Sequence, residues 1–531
     1  MLEKKLKIAL KEIKRNNILK AEKLYLDCLA IDPNLPEVHN ILGNMKLNAG
    51  NVQESIKYFN KAIQLKPNFS GAFCNLGLAY KKLKNEKIAL ENYFKALNLN
   101  PNNFKALFNL ATFYKEKNDI ENAEKFYLKT IDIMPNLLEA HNNLFELYDS
   151  SNQTDKIKIF LNNMKNNLGE IPLYYYYLGI YEFRKKNYQS SINILENLEL
   201  DKKDFNKSTI KSGILAKSYD SIKEYKKAFK YFSESNNIFK NVYEKRIDSN
   251  NYINFINKRI NFFSKQKKCQ PIKFNNLDDI NDPVFLVGFP RSGTTLLDTI
   301  LRTHDLIDVL EELPLIDNFI NILEKKNKND LSELQNISEI SFKSMRKTYF
   351  DERSKHIPNN NNKTLIDKLP LNIIHAAEIL YFFPKAKFIL ALRNPYDVVL
   401  SCFMQQFGPN RATINFTSIK NTAKLYDLVM SLWFIYIEKF NITTHEIKYE
   451  NIVKSFEPSI KKLLFFLNLE WSEELKNFNK TAIKRGIINT PSSSQVNQPL
   501  YDKSIDRWRN YENEFVEVKN ILDKWVKKFN Y

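Results

Sequence analysis

Cysteine is scarce in this chain: four residues, Cys28, Cys74, Cys269 and Cys402, stand far apart, with no CxxC pair and no metal-type spacing. A disulfide framework and a zinc site are therefore not expected, and the thiols are read as reduced. Long apolar runs are missing too. The N-terminus, MLEKKLKIALKEIKRNN, breaks its apolar residues with Lys and Glu at helical spacing, and no run approaches the ~18 residues of a membrane span. The expectation is a chain without membrane insertion that stays in the cytoplasm. Acidic charge is in deficit, with 61 Asp and Glu against 80 Lys and Arg and a net charge of +19. The excess is spread along the whole chain rather than clustered, so no nucleic-acid partner is expected, and charge alone names none.

What is present begins with periodicity. At 531 residues the chain is long enough for two or three domains with sizeable cores. The dipeptide Pro-Asn recurs in equal steps at Pro33, Pro67, Pro101 and Pro135. Within the units, Leu42-Gly43, Leu76-Gly77 and Leu110-Ala111 mark first helices, while Tyr58-Phe59, Tyr93-Phe94 and Phe126-Tyr127 mark second helices. Small residues let paired helices approach, aromatics fill the gap to the next pair, and proline stops each second helix. In period and pattern this region resembles tetratricopeptide repeats. After Leu137 the pattern weakens, yet Leu178-Gly179, Ala216 and Ala228 keep small-residue positions, so about seven helix pairs are expected. Of the cluster Tyr174, Tyr175, Tyr176 and Tyr177, two should face inward on a helix. The concave face of such an array suits an extended peptide or partner protein.

A Lys-rich helical segment, 242–268, leads to the turn-rich NNLDDINDP, and beyond it short apolar runs alternate with helices. The expected division is a repeat α-solenoid over 1–240, a helical linker over 241–280, and an α/β domain with a parallel sheet over 281–531. Four runs, 284–289, 364–366, 387–392 and 446–449, read as buried strands. The first runs into Pro290-Arg291-Ser292-Gly293-Thr294-Thr295 and then a helical pattern. Strand, loop and helix in that order aim main-chain N–H groups and the positive end of a helix at one spot, where an anion should sit. Gly288 to Gly293 has the spacing of a P-loop, but Thr294 stands where its lysine would be, which disfavours nucleoside triphosphate hydrolysis and a nucleoside kinase. Because ligands bind beyond the carboxyl ends of strands in open α/β sheets, Arg291, Lys368, Arg393 and the Tyr449-Glu450 pair are expected to converge there.

PRSGTT after a strand, with FILALRNPYDVVLS farther on, resembles the sulfotransferases that use 3′-phosphoadenosine 5′-phosphosulfate (PAPS), over roughly 283–527. LEELP carries Glu312 at the distance from Arg291 where the tyrosylprotein branch of that family keeps its base. The resemblance implies a three-layer α/β, P-loop-like sulfotransferase domain and assigns roles residue by residue. Arg291, Ser292, Gly293, Thr294 and Thr295 become the 5′-phosphosulfate loop. Arg393 at a strand end and Ser401 one turn into the next helix would grip the 3′-phosphate, a task for which a guanidinium fork and a hydroxyl are suited. Tyr449 would lie near the nucleotide, and Ser493, Ser494 and Arg507 would belong to a late segment closing over its phosphate.

Sulfuryl transfer needs an activated acceptor hydroxyl and compensation of charge growing on the donor. Glu312 is the candidate base, with Glu311 as its competitor, and Arg291 and Lys368 are the candidate cations. His304 and His375 are read as structural, and no metal is expected. The implied reaction moves a sulfuryl group from PAPS to a hydroxyl of a protein tyrosine or a saccharide, with the repeats binding the acceptor or another protein. One departure from the tyrosylprotein branch is Pro314, where that branch carries a basic residue, so the acceptor stays open between the two. The other reading left open is a repeat scaffold with a catalytically silent nucleotide-binding domain.

Overall fold

The computed structural model describes the chain except residues 202, 271–280, 327–329, 359–361, 486–499 and 501. It divides into two compact units, Met1–Leu198 and Glu199–Tyr531.

The first unit is six antiparallel helix pairs. They are α1 (Leu2–Lys14) with α2 (Ile18–Ile31), α3 (Pro36–Asn48) with α4 (Val52–Leu65), and α5 (Ser70–Lys82) with α6 (Glu86–Leu99). Next come α7 (Phe104–Glu116) with α8 (Ile120–Ile133), α9 (Leu138–Ser150) with α10 (Thr154–Leu168), and α11 (Pro172–Arg184) with α12 (Tyr188–Leu195). Helices α2, α4, α6 and α8 each end just before a repeat proline, as expected of a residue that cannot continue a helix. Between the members of every pair one residue turns left-handed: Asn16, Gly50, Lys84, Asn118, Asn152 and Lys186. The following N–H reaches back to close the helix end, for example Asn51 N to Lys46 O at 2.9 Å and Asn187 N to Glu182 O at 2.9 Å, which is the Schellman arrangement. The same beat continues through α11 and α12, where the proline signal has gone.

Close approach explains the small residues. A Cβ on Gly77 would lie 2.7 Å from the ring of Tyr93, and one on Gly179 would lie 2.4 Å from Leu195. Both partners stand at the same offset from their glycine, on the second helix of the same pair. In the tyrosine cluster, Tyr176 and Tyr177 are buried while Tyr174 and Tyr175 are partly exposed. The four cysteines are free and buried.

The second unit begins with a seventh pair, α13 (Phe205–Ser221) and α14 (Tyr225–Tyr243), and a further helix, α15 (Ser249–Ser264). By sequence pattern α13 and α14 close the repeat series; by compactness they belong with the sheet. The sheet then builds as β1 (Val284–Gly288), α16 (Thr294–Leu301), β2 (Ile307–Glu311), α17 (Leu315–Lys326), α18 (Glu339–Ser354), β3 (Thr364–Lys368), α19 (Ala376–Phe382) and β4 (Lys387–Leu392). It is completed by α20 (Pro395–Phe403), α21 (Ile419–Lys439), β5 (Thr443–Lys448), α22 (Tyr449–Lys454), α23 (Phe456–Leu467), α24 (Phe478–Arg485) and α25 (Lys519–Lys528).

Strand order is β2-β3-β1-β4-β5, and every pairing is parallel. Residues of β1 alternate between two cores, as the period of a strand requires. Val284 and Leu286 pack with Leu297 and Ile300 of α16 and Leu463 of α23. Phe285 points the other way, its ring 5.7 Å from Phe388 and 5.8 Å from Phe383, and Phe388 in turn lies 5.6 Å from Trp433 of α21. Helices cover both faces, which gives the three layers. Strand β2 is absent from the strands expected on sequence, and it carries Glu311 at its end. Helix α15 is fastened to this unit by a buried ion pair, Arg259 to Glu378 at 2.6 Å. Among the described residues no helix is long and apolar enough to cross a membrane.

Candidate active site

The chain leaves the centre of the sheet at the carboxyl end of β1 and returns to both sides of it, so β3 and β4 flank β1 and open a crevice at that end. Gly288 ends β1 against its neighbour; a Cβ there would lie 2.6 Å from Ala391 O and 2.8 Å from Ser292 Oγ. Only glycine lets the loop fold this tightly. Arg291 (φ 71°) and Gly293 (φ 99°) are both left-handed and bracket Ser292, the kind of turn that gathers N–H groups into an anion-binding hollow. For arginine this backbone costs roughly 1–2 kcal/mol, so the conformation is imposed by its surroundings. Helix α16 starts at once with Gly293 as its N-cap, and no side chain caps it. Its first-turn donors face the hollow beside the buried Thr294 and Thr295.

Arg291, Arg393 and Ser401 meet here. Arg291 Nε donates to Ser401 Oγ at 3.0 Å, tying the loop to α20. Arg393 donates to Arg291 O at 3.3 Å and to Ser504 O at 2.5 Å, and its guanidinium lies 5.2 Å from the ring centre of Tyr449. Tyr449 opens α22 and closes the other side of the hollow: a Cβ on Gly293 would come within 3.1 Å of its ring. Two polar atoms of this cluster, Ser292 Oγ and Arg393 Nε, are buried without a hydrogen-bond partner among the described residues. Buried donors are rarely left so, and a pair of them beside an uncapped helix start fits an anionic ligand.

Lys368 and Glu312 form a second cluster at the ends of β3 and β2. Lys368 is fully buried, with Nζ 2.8 Å from Glu312, 3.5 Å from Glu311 and 3.7 Å from Asp298 of α16. Asp298 also holds Arg302, at 2.8 Å. Glu312 N donates to Lys368 O at 2.7 Å, extending the ladder by one residue while Glu312 itself turns left-handed (φ 50°). The two carboxylates differ in access: the Glu312 side chain is 31% exposed and that of Glu311 only 7%. Beside Lys368, burial pushes the Asp367 carboxyl up to about 7, against the opposing bond from Tyr349 OH at 2.8 Å. No group of three His, Cys, Asp or Glu side chains among the described residues is arranged to hold a metal ion.

Arg507 is held by Asp220 of α13, at 2.7 Å, and Ser493 and Ser494 lie outside the described residues. Sequence reasoning does not reach Asp298, Asp220 or the backbone contacts of Asp397. Asp397 accepts Asp506 N at 2.8 Å and Trp508 N at 2.9 Å; burial still raises its carboxyl, with Arg393 opposing. Asp298 could have been suspected from its place one turn into the loop helix, whereas nothing in sequence links Asp220 to residues 287 positions away.

Residues 283–473 match the model of the sulfotransferase family. Residues 71–103 and 92–125 match models of the tetratricopeptide repeat, as does 43–84. The chain carries tetratricopeptide repeats and a sulfotransferase domain. An uncharacterized protein of Aquifex aeolicus is 29% identical over 326 residues, covering 59% of this chain and 41% of that one. Protein-tyrosine sulfotransferase 1 of Danio rerio is 23% identical over 234 residues, covering 42% of this chain and 65% of that one. The chain thus spans less than two thirds of the length of either relative. Among solved structures, a tetratricopeptide repeat protein from Parabacteroides merdae is similar at 16% identity and a TM-score of 0.33, covering 45% of this chain and 93% of that one.

Proposed function

We propose that the chain is a PAPS-dependent sulfotransferase that modifies a hydroxyl, of a protein tyrosine or a saccharide, with the repeats recruiting the acceptor or a protein partner. The observation that carries this reading is the convergence of Ser292 Oγ and Arg393 Nε, two buried donors lacking partners among the described residues, at the loop where α16 begins. The donor, when bound, supplies an activated sulfuryl group on its 5′-phosphate. The loop N–H groups with Ser292, Thr294 and Thr295 hold the phosphosulfate end, and Arg393 with Ser401 holds the 3′-phosphate. Glu312, the more exposed of the two carboxylates, turns from Lys368 to take the proton of the acceptor hydroxyl at Oε1. Lys368 Nζ and the Arg291 guanidinium stay as fixed cations where negative charge develops, which is the usual route to large transition-state stabilisation. Similarity to a protein-tyrosine sulfotransferase supports tyrosine as an acceptor.

The test is incubation with PAPS and candidate peptides or saccharides, read by mass spectrometry for an added sulfuryl group. Calorimetry with 3′-phosphoadenosine 5′-phosphate tests the donor site by itself: absence of binding would leave only the repeats with a role, and binding without transfer to any acceptor would leave a silent nucleotide-binding domain.

A further inference from the structure

The pair α13 and α14 is read from sequence as one more repeat, yet its side chains reach residues that border the proposed donor site. Asp220, one residue from the end of α13, accepts from Arg507 at 2.7 Å on one oxygen and from Tyr511 OH at 2.6 Å on the other. Local structure does not favour an acid there, because the end of a helix is the negative pole of its macrodipole. Its tertiary partners account for it.

The segment it grips is held on its other side by α20. Asp397 takes the N–H groups of Asp506 and Trp508, and the Trp508 ring stacks on Tyr396 at 4.3 Å. Main chain at 506 and 508 thus faces one carboxylate while side chains at 507 and 511 face the other. Just before this stretch, Ser504 O accepts from Arg393. Together with Arg291 O, that carbonyl fixes the Arg393 fork and leaves Nε as the atom without a partner among the described residues.

We propose that Asp220 is a positioning residue of the donor site: by clamping Arg507 and Tyr511 it fixes the 504–511 segment, whose Ser504 carbonyl orients Arg393 toward the nucleotide 3′-phosphate. The inference rests on the donor reading above. It makes α13 part of the binding apparatus of the transferase, outside the stretch that matches the family.

The experiment is calorimetry on the full chain with two nucleotides, 3′-phosphoadenosine 5′-phosphate and adenosine 5′-phosphosulfate, which lacks the 3′-phosphate. Asp220→Ala and the milder Asp220→Asn should weaken the first by about tenfold, the equivalent of one charged hydrogen bond, and leave the second unchanged. In turnover the same variants should raise the donor KM and keep kcat. Exchanging the charges, Asp220→Arg with Arg507→Asp, should restore affinity in part. Equal weakening of both nucleotides, or no weakening of either, would overturn the positioning role. Hydrogen exchange of 504–511 without nucleotide reads the clamp by itself, and unchanged protection in Asp220→Asn and Asp220→Ala would also overturn it. Failure of the unaltered protein to bind either nucleotide would instead overturn the donor reading, and the assigned target of the clamp with it.

Discussion

Lys368 Nζ and Glu312 Oε1 are 2.8 Å apart at the mouth of the sheet, the lysine wholly buried and the carboxylate facing outward. The proposed base is therefore held by a proposed transition-state cation until an acceptor engages it. Glu312→Gln keeps the shape and the hydrogen bond but cannot accept a proton; transfer should fall by ~10²–10⁴-fold with nucleotide affinity retained. Labelled-sulfate transfer alongside calorimetry checks this, and full turnover in Glu312→Gln would move the role to Glu311.

Removing the lysine should act differently. Lys368→Met takes from the interior the cation that Asp298 and Glu311 share, a loss that typically costs about 3–5 kcal/mol. Denaturant titration should register that drop together with loss of transfer, whereas Glu312→Gln should lose transfer with far less change in stability.

Arg393→Ala removes both the fork that Ser504 O and Arg291 O hold and the Nε that has no partner among the described residues. Affinity for 3′-phosphoadenosine 5′-phosphate should fall by roughly 10- to 100-fold, on the usual worth of charged hydrogen bonds of about 1.5–3 kcal/mol. Binding within about threefold of the unaltered protein would remove Arg393 from the 3′-phosphate site.

Asp367 gives the fold a pH signature. Its carboxyl is raised from 3.8 to about 7 by burial, so the native state keeps a proton that the unfolded chain has released. The stability this contributes is complete below pH 3.8 and is lost as pH rises through about 7. Asp367→Asn keeps an acceptor for Tyr349 and removes the titration. Its unfolding free energy should fall less than that of the unaltered protein between about pH 4 and 7 in matched urea titrations, and identical slopes would disprove the assignment.

In the repeats, Gly77→Ala adds a methyl 2.7 Å from the Tyr93 ring. Overpacking of this kind costs about 1–3 kcal/mol, so the melting transition of the first unit should move down; an unchanged transition would mean that the helices of that pair stand farther apart.

Much of the fold and of the site is legible in sequence because it is local. A proline at the close of each early repeat, a glycine facing an aromatic at a fixed offset, and a strand-loop-helix with glycine at 288 and 293 each record a backbone constraint at one place. The residual gaps are long-range. Strand β2 escapes sequence reading since IDVLE is short and half polar, as suits an edge, and its partner β3 comes only after α17 and α18. Spacing from Arg291 already favours Glu312 over Glu311 as the proposed base; the difference in side-chain exposure, 31% against 7%, is what spacing does not contain.

By itself, then, the sequence determined the repeat array and the strand-loop-helix that starts at β1, and it marked Arg291, Arg393 and Ser401 as residues to meet beside that loop, since these depend on backbone geometry and residue type. Only the tertiary structure decided that Lys368 is buried among three carboxylates, that Asp397 serves the 506–508 backbone, and that Asp220 of a repeat-like helix grips Arg507. Those pairings come from how the strands order and how the C-terminal segment packs across α20 and α13. A carboxylate carries no mark in the sequence of the distant partner that packing will give it.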